Sequence, residues 1–112
     1  MLAECRDGLP DHGSYSSLLK KVKTPEDILK IVAQPSFKEQ DAWQVQIQAY
    51  VQEHAKVYLY SDGLDDHQIE GALMEPVWDI EKTIKELISK YGDRVCTMPE
   101  GPMVIVNEKR NE

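Results

Sequence analysis

Between Lys56 and Ser61 the chain reads Lys-Val-Tyr-Leu-Tyr-Ser, a β-branched and aromatic run that ends in the turn-forming Ser61-Asp62-Gly63. A strand with one wet face alternates apolar and polar residues. A run that is apolar almost throughout reads instead as a strand buried on both faces, and covering both faces takes helices. This segment follows one helical pattern almost without a linker and precedes others. The expected fold is therefore α/β: a small, mainly parallel sheet with helices packed on its faces in Rossmann-like layers, joined by right-handed crossovers.

The flanking segments fill in this scheme. Tyr15, Leu18, Leu19 and Val22 recur at spacings of three and four, predicting a short helix from Ser14, with Ser14 as its N-cap. Thr24-Pro25-Glu26-Asp27 sets a capping hydroxyl before a proline at the first helical position, with two acids in the first turn. The helix that follows buries Ile28, Leu29, Ile31 and Val32 and stops before Pro35. The segment from Asp41 to Ala55 is ambiguous. Trp43, Val45, Ile47, Ala49 and Val51 alternate as in a strand, while Trp43, Ile47, Tyr50 and Val51 make a helical stripe. Length, Ala and Gln content and a capping Asp41 favour a helix. Asp65 and Asp66 cap a short helix through Leu73, and Pro76 breaks the chain. Asp79 to Tyr91 has the clearest amphipathic pattern, with Ile80, Ile84, Leu87, Ile88 and Tyr91 on one face and Gly92 as its stop. Arg94–Met98 and Met103–Val106 read as two further strands, with Cys96 as core filling.

At the amino end, Met1 to Cys5 runs straight into Arg6-Asp7-Gly8-Leu9-Pro10-Asp11-His12-Gly13, a loop by composition. The apolar part is too short for a whole buried strand, so Met1 is expected to fall inside a strand of a longer protein, a natural start with a frayed tail being the alternative. Residues 1–106 are expected to form one α/β domain, with 107–112 as a charged tail.

Composition narrows the function. The 112 residues carry 13 Lys and Arg against 20 Asp and Glu, a net charge of −7, which argues against nucleic acid and anionic membrane surfaces as partners. No apolar run reaches the roughly 20 residues that cross a bilayer, and no signal peptide is evident. Cys5 and Cys96 stand far apart without C-x-x-C spacing, which suits a reducing cytoplasmic setting.

In open parallel sheets, ligands gather beyond the carboxyl ends of the strands, so the loops after Cys5 and after Tyr60 are where chemistry is expected. Cys5-Arg6-Asp7-Gly8 offers a thiol, a guanidinium able to grip a carboxylate or phosphate in bidentate fashion, a carboxylate, and a glycine that lets backbone approach a ligand. The plainer reading is that Arg6 and Asp7 pair with each other and Gly8 only turns the chain. His12, His54 and His67 share no ligand spacing, so no metal site is expected in this chain; His12 in the glycine-rich loop is the one to watch. Asp62, Asp65 and Asp66 lack the glycine and glutamate positions of an EF-hand and suit capping better. Trp43, near a helix start beside Gln44, suits either the core or a ligand reached through its indole N–H. No P-loop, G-x-G-x-x-G or G-x-S-x-G is present.

Taken together, A-E-C-R-D-G (3–8), T-P-E-D-I-L (24–29), D-A-W-Q-V-Q (41–46), V-Y-L-Y-S (57–61) and V-C-T-M-P-E-G (95–101) resemble, in order and spacing, the C-terminal portion of the nickel-pincer lactate racemase family. The resemblance implies a two-domain racemase or epimerase of 2-hydroxy acids. In that scheme the α-hydrogen passes as hydride to a nickel-pincer nucleotide held mainly by a larger N-terminal domain, which also supplies the nickel ligands, the lysine anchor and the histidine acid/base pair. It further implies no catalytic residue in this chain, and cleft positions for Trp43 and Gln44 of the W-Q motif and for Arg6, Asp7 and Gly8 of the strand-end loop. Leu9-Pro10-Asp11-His12 departs from the family's more compact glycine-containing turn, which leaves the substrate acid open. A different class of function, a stand-alone small-anion-binding or protein-interaction module without catalysis, is the alternative.

Overall fold

A computed structural model describes residues 1–11, 13–39 and 42–105, which fall into two compact units, Met1–Ile80 and Glu81–Glu112. The expected cap Asp41, His12, the end of the expected last strand at Val106 and the tail 107–112 lie outside the described residues.

The α/β class holds. In the first unit, β1 (Tyr58–Leu59) pairs in parallel with β2 (Glu75–Pro76), with Tyr58 opposite Glu75 and Leu59 opposite Pro76. On its other edge β1 takes up Met1–Ala3, also in parallel through Leu2 and Tyr60. The Tyr60 N–H donates to the Met1 carbonyl (3.0 Å), the Ala3 N–H to the Tyr60 carbonyl (3.1 Å) and the Met1 ammonium to the Tyr58 carbonyl (2.7 Å). Carbonyls of the alternate residues Val57 and Leu59 accept from Glu75 and Val77, both at 2.9 Å. The chain direction is therefore the same in all three segments, and their carboxyl ends share one edge.

Pro76 does not merely break the chain, as its residue type suggested. Glu75 and Val77 supply the N–H groups that face β1, so the proline nitrogen, which has none to give, lies on the outer side of an edge strand, where sheets tolerate it. A second correction concerns the expected strands at Arg94–Met98 and Met103–Val106. Residues 94–98 are irregular and exposed, Cys96 included, and Gly101–Met103 is a single 3₁₀ turn. A β-branched run becomes a strand only when a neighbouring ladder takes its N–H and C=O groups, and no ladder among the described residues does so.

Among the described residues there are five α-helices. α1 (Ser14–Leu19) starts at its expected cap and stops short of the expected Val22: Gly13 is the N-cap and Ser14 is buried. α2 (Pro25–Val32) is as the sequence dictates, with a complete capping box. The Thr24 hydroxyl accepts from the Asp27 N–H (3.3 Å), and the Asp27 carboxylate accepts from the backbone N–H groups of Thr24 (3.2 Å) and Lys23 (3.3 Å). Those bonds to the charged form, Lys23's first and Thr24's next, hold the Asp27 carboxyl below its ordinary range. α4 (Asp66–Gly71) repeats the device with Asp65 and Gln68 at 2.8 and 2.9 Å. α5 (Ile80–Tyr91) buries no residue.

α3 (Ala42–His54) is a helix, but the stripe it buries is not the one its large side chains draw. Ala42, Val45 and Ala49 face inward, and their small size lets α2 pack closely along the helix. Leu18, Leu19, Val22, Ile28 and Ala72 complete this core. Gln48 and Gln52, on the flank of the same face, reach the end of α4, where their amides donate to the carbonyls of Ala72 (2.7 Å) and Leu73 (2.5 Å). Leu73 has φ +60°, the left-handed turn usual after a helix, so its carbonyl points away from the α4 ladder and is met by a side chain instead. Trp43, Ile47, Tyr50 and Val51 remain exposed.

Candidate functional site

The common carboxyl edge gathers the loop after Ala3, the loop after Tyr60 and Ile80. These loops are joined to each other. The Ser61 hydroxyl donates to the Glu4 carbonyl (3.0 Å) and accepts from the Gly63 N–H (3.2 Å). Leu2, Ala3, Glu4, Tyr60, Asp62 and Ile80 line a shallow hollow of about 250 Å³ at this edge. Beside it Cys5, at φ +48°, turns the chain sharply, and its carbonyl accepts the Gly8 N–H at 2.9 Å.

Arg6 does not pair with Asp7. Its guanidinium meets the Glu4 carboxylate at 2.7 Å, with both side chains largely in water, so the pair holds the arginine only weakly and a competing carboxylate can displace Glu4. Asp7 and Gly8 line a larger cleft of about 820 Å³ with Leu9, Pro10 and Asp11 of the same loop, Tyr15, Leu19 and Lys20 around α1, and His67, Gln68 and Glu70 of α4. Tyr15 stands in the cleft wall with its hydroxyl donating to Gln48 at 2.6 Å. Burial, with a smaller contribution from nearby Cys5, pushes its phenol above the ordinary value. Tyr15, Lys20 and His67 had no signal in the sequence, because two helices far apart in the chain, α1 and α4, bring them to one wall.

Trp43 and Gln44 lie on the first turn of α3. The Trp43 ring is 58% exposed, which removes the core reading for it. Neither residue lines the cleft of Asp7 and Gly8, and no hydrogen bond or ion pair among the described residues ties them to the Arg6–Gly8 turn. The candidate residues thus fall into two groups, the strand-end turn and the α3 start. Trp78 went unremarked in the sequence. It is also exposed, on the carboxyl side of β2, with its indole N–H donating to Asp66 at 2.8 Å. That bond gives Asp66, in the first turn of α4, a partner of its own. Among the described residues no three His, Cys, Asp or Glu side chains converge as a metal site, and no helix is long and apolar enough to cross a membrane.

A small parallel α/β layer here presents its loops along one carboxyl edge, the side on which such sheets commonly gather ligands. The chain belongs to the lactate racemase C-terminal domain family, whose model matches residues 1–106. It is similar to a lactate racemase of Thermoanaerobacterium thermosaccharolyticum, with 30% identity over 111 residues, 96% of this chain and 26% of the relative. The solved structure of the lactate racemase apoprotein from that organism matches with a TM-score of 0.78 at 27% identity, over 96% of this chain and 26% of that one. The chain therefore spans about a quarter of the length of the relatives it matches.

Proposed function

We propose that this chain is a single domain over residues 1–106 that works, in the cytoplasm, as the C-terminal part of a nickel-pincer-dependent racemase or epimerase of 2-hydroxy acids. It forms one wall of a cleft closed against a larger N-terminal domain. The observation that carries the reading is the family match over nearly the whole chain, joined to a coverage of only about a quarter of a lactate racemase.

The residues present do not make a nickel site, since no set of metal-binding side chains converges among those described. The nickel-bearing nucleotide, which in this reading would supply a hydride acceptor and donor, belongs to the N-terminal domain. What this chain contributes is binding and exclusion. Arg6 exchanges its exposed Glu4 partner for the substrate carboxylate, which its planar fork matches in bidentate geometry. Asp7 and Gly8 shape the wall beside it. Trp43 and Gln44 supply a flat aromatic face and an amide from the α3 start. Closing such a surface over the bound acid keeps water from it and holds its carbon skeleton in one position.

The test is racemisation of lactate and other 2-hydroxy acids by the full-length enzyme carrying this domain, loaded with its cofactor, with Trp43→Ala beside the parent. An exposed ring contributes little to folding, so the variant keeps its unfolding midpoint and loses turnover. Undiminished turnover would remove Trp43 from the site, and a fully loaded parent that racemises no 2-hydroxy acid would end the reading.

A further inference from the structure

We propose that Ser61 and Gly63 are positioning residues, which lock the Cys5–Gly8 turn and thereby fix the direction of Arg6. The inference rests on the reading that this turn faces the substrate.

Three observations on the loop after β1 converge. The Ser61 hydroxyl bridges the two loops, donating to the Glu4 carbonyl at 3.0 Å while accepting the Gly63 N–H at 3.2 Å. Gly63 has no space for a side chain, because a Cβ there would collide with the backbone carbonyls of Glu4 and Cys5. Cys5, in contact with that glycine, is held at φ +48°, a conformation that non-glycine residues adopt only when their surroundings impose it. The Cys5 carbonyl that packs on Gly63 is also the acceptor for the Gly8 N–H at 2.9 Å. One serine and one glycine thus press on the two carbonyls immediately before Arg6. The guanidinium itself, paired only with exposed Glu4, has no other restraint among the described residues.

The experiment has two arms. In the full chain, amide hydrogen exchange is read at Gly8, which reports the turn, and at Ala49 in the middle of α3, which reports the core. Ser61→Ala is expected to speed Gly8 exchange by roughly five- to tenfold, the loss of about one hydrogen bond's protection, with Ala49 unchanged. Ser61→Thr, which keeps the hydroxyl, restores the parent rate. Gly63→Ala is expected to act in the same direction, and Ser61→Ala decides the matter if that variant fails to fold. Unchanged Gly8 exchange, or equal acceleration at Gly8 and Ala49, overturns the lock.

In the intact enzyme, Ser61→Ala is expected to raise KM for the 2-hydroxy acid several-fold more than it lowers kcat, and to add nothing when Arg6 is already alanine. Full additivity in the double variant overturns positioning through Arg6. An Arg6→Ala variant with unchanged KM instead overturns the role given to the turn, and leaves the exchange result to decide the lock.

Discussion

Helix α3 buries Ala42, Val45 and Ala49, half-buries Gln48 and Gln52, and leaves Trp43, Ile47, Tyr50 and Val51 exposed, whereas α5, of nearly equal length, carries a clear apolar stripe of which Ile80, Leu87 and Ile88 are half-buried and no residue is fully buried. The amphipathic pattern of a helix says where its apolar side chains lie. It does not say which face a neighbour covers, and that is decided by fit. Alanines let α2 come close, and glutamines spanning to the Ala72 and Leu73 carbonyls satisfy polar groups that an apolar side chain there would strand. The large apolar residues of α3 are left outward, on the helix whose first turn carries the Trp-Gln pair.

The sharpest way to break this comparison is to cut the same side chain in both places. Ile28 of α2, fully buried against α3, loses its contacts and leaves a cavity as Ile28→Ala, with an expected cost of about 2–5 kcal/mol. Ile84→Ala on α5, at a site 46% exposed, should stay within roughly 1 kcal/mol. Chemical denaturation of the two variants measures both, and equal costs would mean that α5 is covered as fully as α2.

A smaller effect tests the polar half of the α3 interface. Gln48→Ala removes the acceptor of the Tyr15 hydroxyl and the donor to the Ala72 carbonyl, tying α1, α3 and α4 less firmly, at an expected cost of about 1–3 kcal/mol. The phenol gives a pH signature. Burial raises its pKa in the folded chain, so its contribution to stability is complete below the ordinary value near 10 and is lost as pH rises through the raised folded value. Tyr15→Phe should lessen the alkaline fall in stability, and an unaltered alkaline limb would show that Tyr15 is not buried as described.

How far the sequence spoke follows the range of the interactions. The α2 capping box and the α4 cap at Asp65 are settled within four residues of chain, and the residues for them were evident. The face of α3, the edge strand through Pro76 and the irregular course of Arg94–Met98 depend on partners tens of residues away, which no local pattern contains. The site divides likewise. The glycine-rich turn at Arg6–Gly8 and the Trp43-Gln44 pair stand out as motifs. The partner of Arg6, the lock by Ser61 and Gly63, and the cleft wall of Tyr15, Lys20 and His67 arise only once loops and helices meet.

The smallest contrast lies between local devices on the two kinds of helix. On α2, Thr24→Ala removes the hydroxyl that accepts the Asp27 N–H, and an N-cap of this kind is worth about 1 kcal/mol. On α5, the exposed Glu81–Lys85 pair at 2.7 Å is worth a few tenths of a kcal/mol, about 0.3 for a pair one turn apart, and less in high salt. Acid separates them further. Asp27 has its pKa lowered on folding, so its contribution is complete above the ordinary value near 3.8 and is lost as pH falls through the lowered folded value. Thermal unfolding of Asp27→Asn and Lys85→Ala between neutral and strongly acidic pH should show the acid-labile portion shrinking only in the first. If Lys85→Ala moved the acid limb as much, the carboxylates of α5 would be as firmly held as the α2 cap, and the division between a covered helix held by its neighbours and an open one held by its own side chains would fail.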